Sequence, residues 1–129
     1  MSQMTWTTAQ QAAIDARGQN LLLSAAAGSG KTAVLTERIK KLITDMDDPA
    51  DITELLVLTF PRASAGEMKT RISSGIAKAL SEAEQEQNTP LARHLSRQLA
   101  LMSSAQISTL DSFFQTLIRR YFYLIDLDP

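Results

Sequence analysis

Residues 25–32 have the sequence Ala-Ala-Ala-Gly-Ser-Gly-Lys-Thr, and this stretch decides the predicted fold. It ends in the Gly-Lys-Thr of a phosphate-binding loop, where backbone N–H groups and the positive end of a helix dipole hold an anion. Lys31 can reach the β- and γ-phosphates of a nucleotide, and the Thr32 hydroxyl can bind Mg²⁺. Ala25 replaces the first glycine of the general G-x-x-x-x-G-K-[ST] pattern, but Gly28 and Gly30 remain to supply the turn. The alternative is an ordinary strand-to-helix turn with a solvated lysine.

The segments on either side of the loop support a nucleotide site. Leu21–Leu23 is a short apolar run that predicts a buried strand, and the apolar spacing that follows predicts a helix over about Lys31–Thr44. A second apolar run, Leu55–Leu58, predicts another strand that ends at Thr59 and Phe60. Two strands joined by a helix favour a right-handed βαβ unit in a parallel sheet, so the predicted fold class is α/β.

Further elements follow from caps and periodicity. Thr7 and Gln10 form a capping-box pattern that predicts a short helix through Ile14, ending near Gly18. The acidic, proline-containing segment 45–51 predicts an exposed loop. Helices are also predicted around residues 68–80, from a cap at Thr89, and over residues 110–125, whose wide apolar face requires burial on more than one side. A third short strand is predicted at residues 106–109.

Composition excludes several classes of protein. The chain is 44% hydrophobic and 21% charged, which is ordinary for a globular domain. Its net charge of −1 indicates no global basic field for nucleic acid, so any such surface must be local. It has no cysteine, which excludes disulfides and thiolate metal sites. The N-terminal residues lack a signal-peptide pattern and no apolar run is long enough to span a bilayer, so a cytoplasmic location is expected.

Three more segments resemble known motifs in the same order and spacing around the loop. Residues 6–14 resemble the Q-motif of superfamily 1A helicases of the UvrD/Rep type. Residues 59–72 resemble their motif Ia, and residues 107–113 resemble their T-h-H-S-F element. The closing residues 119–129 are most similar to the helicase–nuclease branch of this family, found in bacterial complexes of the AddAB type.

The resemblance implies that residues 1–129 are the N-terminal part of the first RecA-like motor domain, a partial P-loop NTPase fold with a parallel sheet flanked by helices. It implies ATP and Mg²⁺ as cofactors, and Gln10 as the residue that recognises adenine through its amide donor and acceptor. Gln10 could instead serve only as the helix cap. Lys31 is the predicted catalytic residue and Thr32 the predicted metal ligand. The predicted nucleotide-binding residues are Gln10, Ala27, Gly28, Ser29, Gly30, Lys31 and Thr32.

The resemblance also implies contacts with single-stranded DNA. Phe60 would stack on a base or sugar, although a core aromatic at a strand end is the alternative. Arg62 could contact a phosphate or remain a solvated loop charge. Thr109 and Ser112 could donate hydrogen bonds to phosphate or cap a helix.

Two positions depart from the family pattern. Pro61-Arg62 stands where the family usually has Thr-Asn, and Pro61 removes one backbone N–H. Asp111 replaces the usual histidine, and its carboxylate would repel DNA phosphate but suits a helix N-terminus. His94 is expected to be a surface residue without partners, and the aromatic residues from Phe113 to Tyr123 are expected to be core.

The predicted function is the ATP-binding portion of an ATP-dependent DNA helicase–nuclease that acts in double-strand-break repair and recombination. The implied partners are single- or double-stranded DNA and a second protein of the AddB type, with no membrane. No strand ending in Asp-Glu occurs in the sequence, so the chain alone is expected to bind nucleotide without unwinding or cleaving DNA. The alternatives are a stand-alone P-loop module or small kinase-like protein, and an interaction domain with a vestigial loop.

Overall fold

A computed structural model describes residues 5–24, 30–59 and 65–125 of the chain. Within these ranges it contains five α-helices and two β-strands, in the order α1 (Thr8–Asp15), α2 (Lys31–Thr44), β1 (Leu56–Thr59), α3 (Ala65–Gln85), α4 (Thr89–Leu101), β2 (Gln106–Thr109) and α5 (Leu110–Tyr121). Short 3₁₀ turns occupy Ile52–Glu54, Met102–Ser104 and Phe122–Leu124. None of the helices in the described ranges is long and apolar enough to cross a membrane. The mixed α/β class is therefore confirmed.

The two strands form a parallel pair that differs from the predicted one. β1 pairs with β2 in a register that places Leu56 opposite Gln106 and Thr59 opposite Thr109. Helices α3 and α4 make the crossover that a parallel pair requires. The strand predicted at Leu21–Leu23 is wrong: residues 21–24 form none, and Leu22 is 91% exposed. A strand needs a neighbour for its backbone groups, and within the described ranges no strand lies beside this segment.

The main core is built around α3. Ile72 and Ile76 on this helix are fully buried, together with Ile43 of α2 and Leu95 of α4. The predicted apolar stripe of α4 is confirmed, because Leu91 and Leu99 pack against the same cluster. Each fully buried aliphatic side chain of this kind stabilises the fold by about 1.5–3 kcal/mol.

Two polar side chains of α4 tie this core to other elements. Gln98 is fully buried; its Oε1 accepts a hydrogen bond from the Ile52 backbone N–H at 2.6 Å, and its Nε2 donates to Asp51 Oδ1 at 2.7 Å. His94 Nε2 lies 2.9 Å from the carbonyl oxygen of Ile43. The expectation of a partnerless surface histidine is therefore wrong, because packing of α4 against α2 brings this side chain onto the last turn of α2.

A smaller cluster joins α1 to the other side of α2. Ala13 and Ile14 of α1 and Val34 of α2 are buried together, with Trp6 and Leu23 packed against them. The predicted capping box of α1 is confirmed: Thr7 Oγ1 accepts from the Gln10 N–H at 3.2 Å, and Gln10 Oε1 accepts from the Thr7 N–H at 2.9 Å. Helix α2 therefore contributes to both clusters.

The start of α4 corrects one predicted cap. Asn88, not Thr89, is the N-cap of α4, and its Oδ1 accepts from the Leu91 N–H at 3.4 Å. Gln87 has a φ of 58°, which turns the chain so that the helix begins one residue earlier than predicted. Pro90 thus lies in the first turn, where its missing N–H removes no helical hydrogen bond.

Helix α5 presents an uncovered apolar face in the described ranges. None of its residues is buried, Phe114 is 50% exposed, and Tyr123 in the following turn is 66% exposed. The expectation that these aromatics are core is therefore wrong for the described part of the chain. Helix α5 directly follows β2, and a two-stranded sheet is too narrow to bury the wide face of this helix.

Replacement of Gln98 tests the buried polar link. We expect Gln98→Leu to lower the free energy of unfolding by about 1–3 kcal/mol, because the Ile52 N–H loses its buried acceptor. Chemical denaturation measures this change. Gln85→Leu, at the exposed end of α3, is the control and should change stability by no more than about 0.5 kcal/mol. Equal stability of the Gln98→Leu variant and the wild type would contradict the assigned role.

Candidate nucleotide-binding site

The N-terminus of α2 has the geometry of an anion-binding helix end. Gly30 is the N-cap and has φ 83° and ψ 22°, a left-handed conformation that favours glycine. Its carbonyl accepts the first helical hydrogen bond, from the Val34 N–H at 3.0 Å. Among the described residues no side chain caps this end, so the N–H groups of the first turn remain directed out of the helix. These donors and the helix dipole favour a bound phosphate.

Lys31 and Thr32 are the first two residues of α2, and both side chains are exposed. Lys31 lies at the edge of a cleft of about 400 Å³ between α1, α2 and residues 19–23. The Thr32 carbonyl accepts a hydrogen bond from Thr36 Oγ1 at 2.9 Å. The predicted cradle residues Ala27, Gly28 and Ser29 lie outside the described residues.

Gln10 lies beside the start of α2. A Cβ atom built on Gly30 would be 3.8 Å from Gln10 Nε2, so the amide of Gln10 and the last glycine of the loop are neighbours. The Oε1 atom that accepts from Thr7 has a second lone pair for another donor. The cap and an adenine contact are thus compatible in one side chain.

Arg38 attaches α1 to α2, and sequence reasoning missed this residue. Its Nη1 donates to the carbonyl oxygens of Ala13 at 2.6 Å and Ala16 at 2.5 Å. These carbonyls belong to the C-terminal end of α1, where helical partners run out and the dipole attracts a cation. The contact is partly buried, and hydrogen bonds from charged groups contribute about 1.5–3 kcal/mol. The partners are backbone atoms, so no residue pattern could have indicated it.

Two ion pairs on the surface reinforce the same junction. Lys41 Nζ bonds to Asp15 Oδ1, and Arg17 lies 2.7 Å from Asp45 and 3.3 Å from Asp48. Exposed pairs of this kind contribute only about 0.2–1 kcal/mol each. The hydrogen bond from Lys41, with a further one from Gln11, holds the pKa of the Asp15 carboxyl below its ordinary value.

The predicted DNA contacts are only partly within the described ranges. Thr109 caps α5: its Oγ1 accepts from the Ser112 N–H at 3.2 Å and donates to Ser112 Oγ at 2.8 Å. Of the two alternatives, the cap is therefore the role that the structure shows for Thr109. Asp111 lies in the first turn of α5, where its charge suits the helix dipole. Phe60 and Arg62 lie outside the described residues.

In the described ranges no group of acidic or histidine side chains is arranged to hold a metal ion. Magnesium would therefore depend on oxygen ligands supplied by a bound nucleotide, with the Thr32 hydroxyl as the protein's contribution.

The Asp15–Lys41 pair makes a pH-dependent contribution with a definite sign. Because the folded-state pKa of Asp15 is lowered, the contribution is present at neutral pH and is lost as the pH falls through that pKa. We expect Lys41→Met to raise the pKa of Asp15 towards its ordinary value in an NMR titration of the carboxyl carbons. Lys40→Met removes a neighbouring lysine that pairs with Glu37 instead and is the control. An unchanged pKa in Lys41→Met would contradict the pairing.

Comparison with known proteins agrees with this geometry. The family model of the UvrD/REP helicase N-terminal domain matches residues 6–129. A large ATP-dependent helicase/nuclease subunit from Bacillus licheniformis is 54% identical over 125 residues, covering 97% of this chain and 10% of the relative. Its namesake in Clostridium novyi is 53% identical over 129 residues, covering the whole chain and 10% of that relative.

The chain thus spans about a tenth of the length of the curated relatives that it matches. The family model covers nearly all of the chain, including Gln10 on α1, the start of α2 and both strands. On these grounds the chain belongs to the UvrD/REP helicase family.

Proposed function

We propose that this chain is the ATP-binding part of the first RecA-like motor domain of an ATP-dependent DNA helicase–nuclease. The observation that carries the proposal is the junction of α1 and α2. There Gln10 lies beside Gly30, and Lys31 and Thr32 open the phosphate-binding end of α2. One short region thus offers a group for the base and a group for the phosphates. The names of the relatives support ATP as the nucleotide.

The proposed roles follow from the chemistry of each group. The Gln10 amide would hydrogen-bond to the N6 amino group and N7 of adenine. Lys31 and the first-turn N–H groups of α2 would hold the phosphates, with Ala27, Gly28 and Ser29 completing the cradle. The Thr32 hydroxyl would bind the Mg²⁺ that accompanies the nucleotide.

We propose that the longer protein couples ATP hydrolysis to movement along DNA and cleaves DNA in break repair and recombination, together with a partner of the AddB type. The identity to relatives named for helicase and nuclease activity supports this, over the tenth of their length that the chain covers. Nucleotide binding is the part of this activity for which the chain itself carries residues. Unwinding and cleavage are not expected of the chain alone, because phosphoryl transfer needs further groups to stabilise charge.

A modest DNA contact is proposed at the start of α5. Because Thr109 uses its hydroxyl proton on Ser112, Ser112 is the better hydrogen-bond donor to phosphate of the two. Phe60 and Arg62 are proposed to add a stacking and a charged contact after β1. The carboxylate of Asp111 opposes phosphate at this position and should keep the affinity low.

Substitution of Lys31 tests nucleotide binding. We expect weak binding of Mg·ATP to the wild type and none to Lys31→Ala, because the lysine supplies the charge that faces the phosphates. Isothermal calorimetry measures both. Lys78→Ala, an exposed lysine on α3, is the matched control and should bind like the wild type. Identical heats for Lys31→Ala and the wild type would indicate that the loop is vestigial.

Substitution of Phe60 in the full-length protein tests the DNA proposal. We expect Phe60→Ala to reduce DNA-stimulated ATP hydrolysis while ATP affinity without DNA stays nearly unchanged, because stacking on a base contributes about 1–3 kcal/mol. ATPase assays with and without single-stranded DNA, and a nucleotide titration, separate the two effects. Equal losses in both assays would make Phe60 a core residue.

A further inference from the structure

We propose that Arg38 is a positioning residue for adenine recognition, which it serves by holding α1 and therefore Gln10 in place. This inference rests on the proposed nucleotide site. Arg38 itself needs no contact with the nucleotide, since its Nη1 is already bonded to two carbonyl oxygens of α1 and its C-cap. Its influence passes through the backbone of α1 to the side chain beside Gly30.

Helix α1 depends on tertiary contacts for its position. It has eight residues, whereas isolated helices shorter than about 12–15 residues are marginal in water. Only Ala13 and Ile14 of this helix are buried. These two residues follow Gln10 by three and four positions, so all three lie on one face of α1, the face that meets α2. A shift of α1 on α2 would therefore move Gln10 directly.

Arg38 is the strongest polar contact at this junction among the described residues. It satisfies two carbonyls at the C-terminal end of α1 in a partly buried position. The pairs Lys41–Asp15 and Arg17–Asp45 are more exposed, and water and salt weaken such pairs. Removal of Arg38 should therefore loosen α1 more than removal of either pair.

The position of Arg38 on α2 separates the two halves of the site. Lys31 and Arg38 are seven residues apart, close to two helical turns, so they lie on similar faces about 10 Å apart along the axis. One end of α2 thus holds phosphates while a point two turns along it holds the helix that carries Gln10. Loss of Arg38 would displace Gln10 and leave Gly30, Lys31 and Thr32 in place. The base contact should weaken and the phosphate contact should remain.

Calorimetric titrations with Mg·ATP and with magnesium tripolyphosphate separate these effects, because tripolyphosphate has no base. We expect Arg38→Met to lower the affinity for ATP about tenfold, a change of about 1.4 kcal/mol. The affinity for tripolyphosphate should stay within about twofold. Arg38→Lys keeps a cation that can donate to these carbonyls and should restore part of the ATP affinity. Arg93→Met removes an exposed arginine of α4 and should bind both ligands like the wild type.

A double variant and amide hydrogen exchange add independent evidence. If Arg38 acts through Gln10, then Gln10→Ala in the Arg38→Met background should cost little further ATP affinity. Without any nucleotide, Arg38→Met should speed amide exchange in residues 8–15 and leave residues 89–101 unchanged.

Each contrary result overturns a definite statement. Equal losses of ATP and tripolyphosphate binding would show general destabilisation and reject a positioning role. Unchanged ATP affinity or unchanged exchange in α1 would reject it as well. If Arg38→Met does not fold, Arg38→Lys carries the same comparison. A wild type that binds neither ligand would reject the proposed nucleotide site itself, together with the inference that rests on it.

Discussion

Burial of α2 on two sides is the constraint on which the described structure depends. Val34 packs with α1, whereas Ile39 and Ile43 pack into the main core with α3 and α4. A helix buried along two faces can neither rotate nor slide without opening one cluster. Its N-terminal end, which begins after Gly30, is therefore presented from a rigid support. Anion-binding groups gain from such support, since donors held in place need no reorganisation when the ligand arrives.

Local chemistry made much of the structure predictable. The bounds Lys31–Thr44 of α2 follow from the glycine before it and the apolar spacing within it, and the capping box of α1 follows from Thr7 and Gln10. The short strands at residues 56–59 and 106–109 were also predicted from their apolar or β-branched content and flanking turns. These features are decided by residues within one or two turns of each other, which is the range over which sequence patterns act.

The errors arose where distant parts of the chain decide the outcome. Leu21–Leu23 has the composition of a strand, but composition does not supply a neighbouring strand to pair with. His94 contacts the carbonyl of Ile43 because two helices pack together, and Arg38 binds backbone carbonyls that no side-chain pattern records. The aromatic residues of α5 were expected in a core because of their type, but burial depends on which surfaces reach them.

The parallel pairing of β1 with β2 has a consequence for the order of folding. The contacts between α3 and α4 join segments that follow one another in the chain, whereas the strand ladder closes the whole crossover formed by both helices. Non-local contacts bear the entropy of loop closure before they return any stabilisation. The ladder should therefore form late, after the helix pair has become compact. Substitutions in the ladder should then mainly speed unfolding, which the unfolding limb of a chevron plot would record.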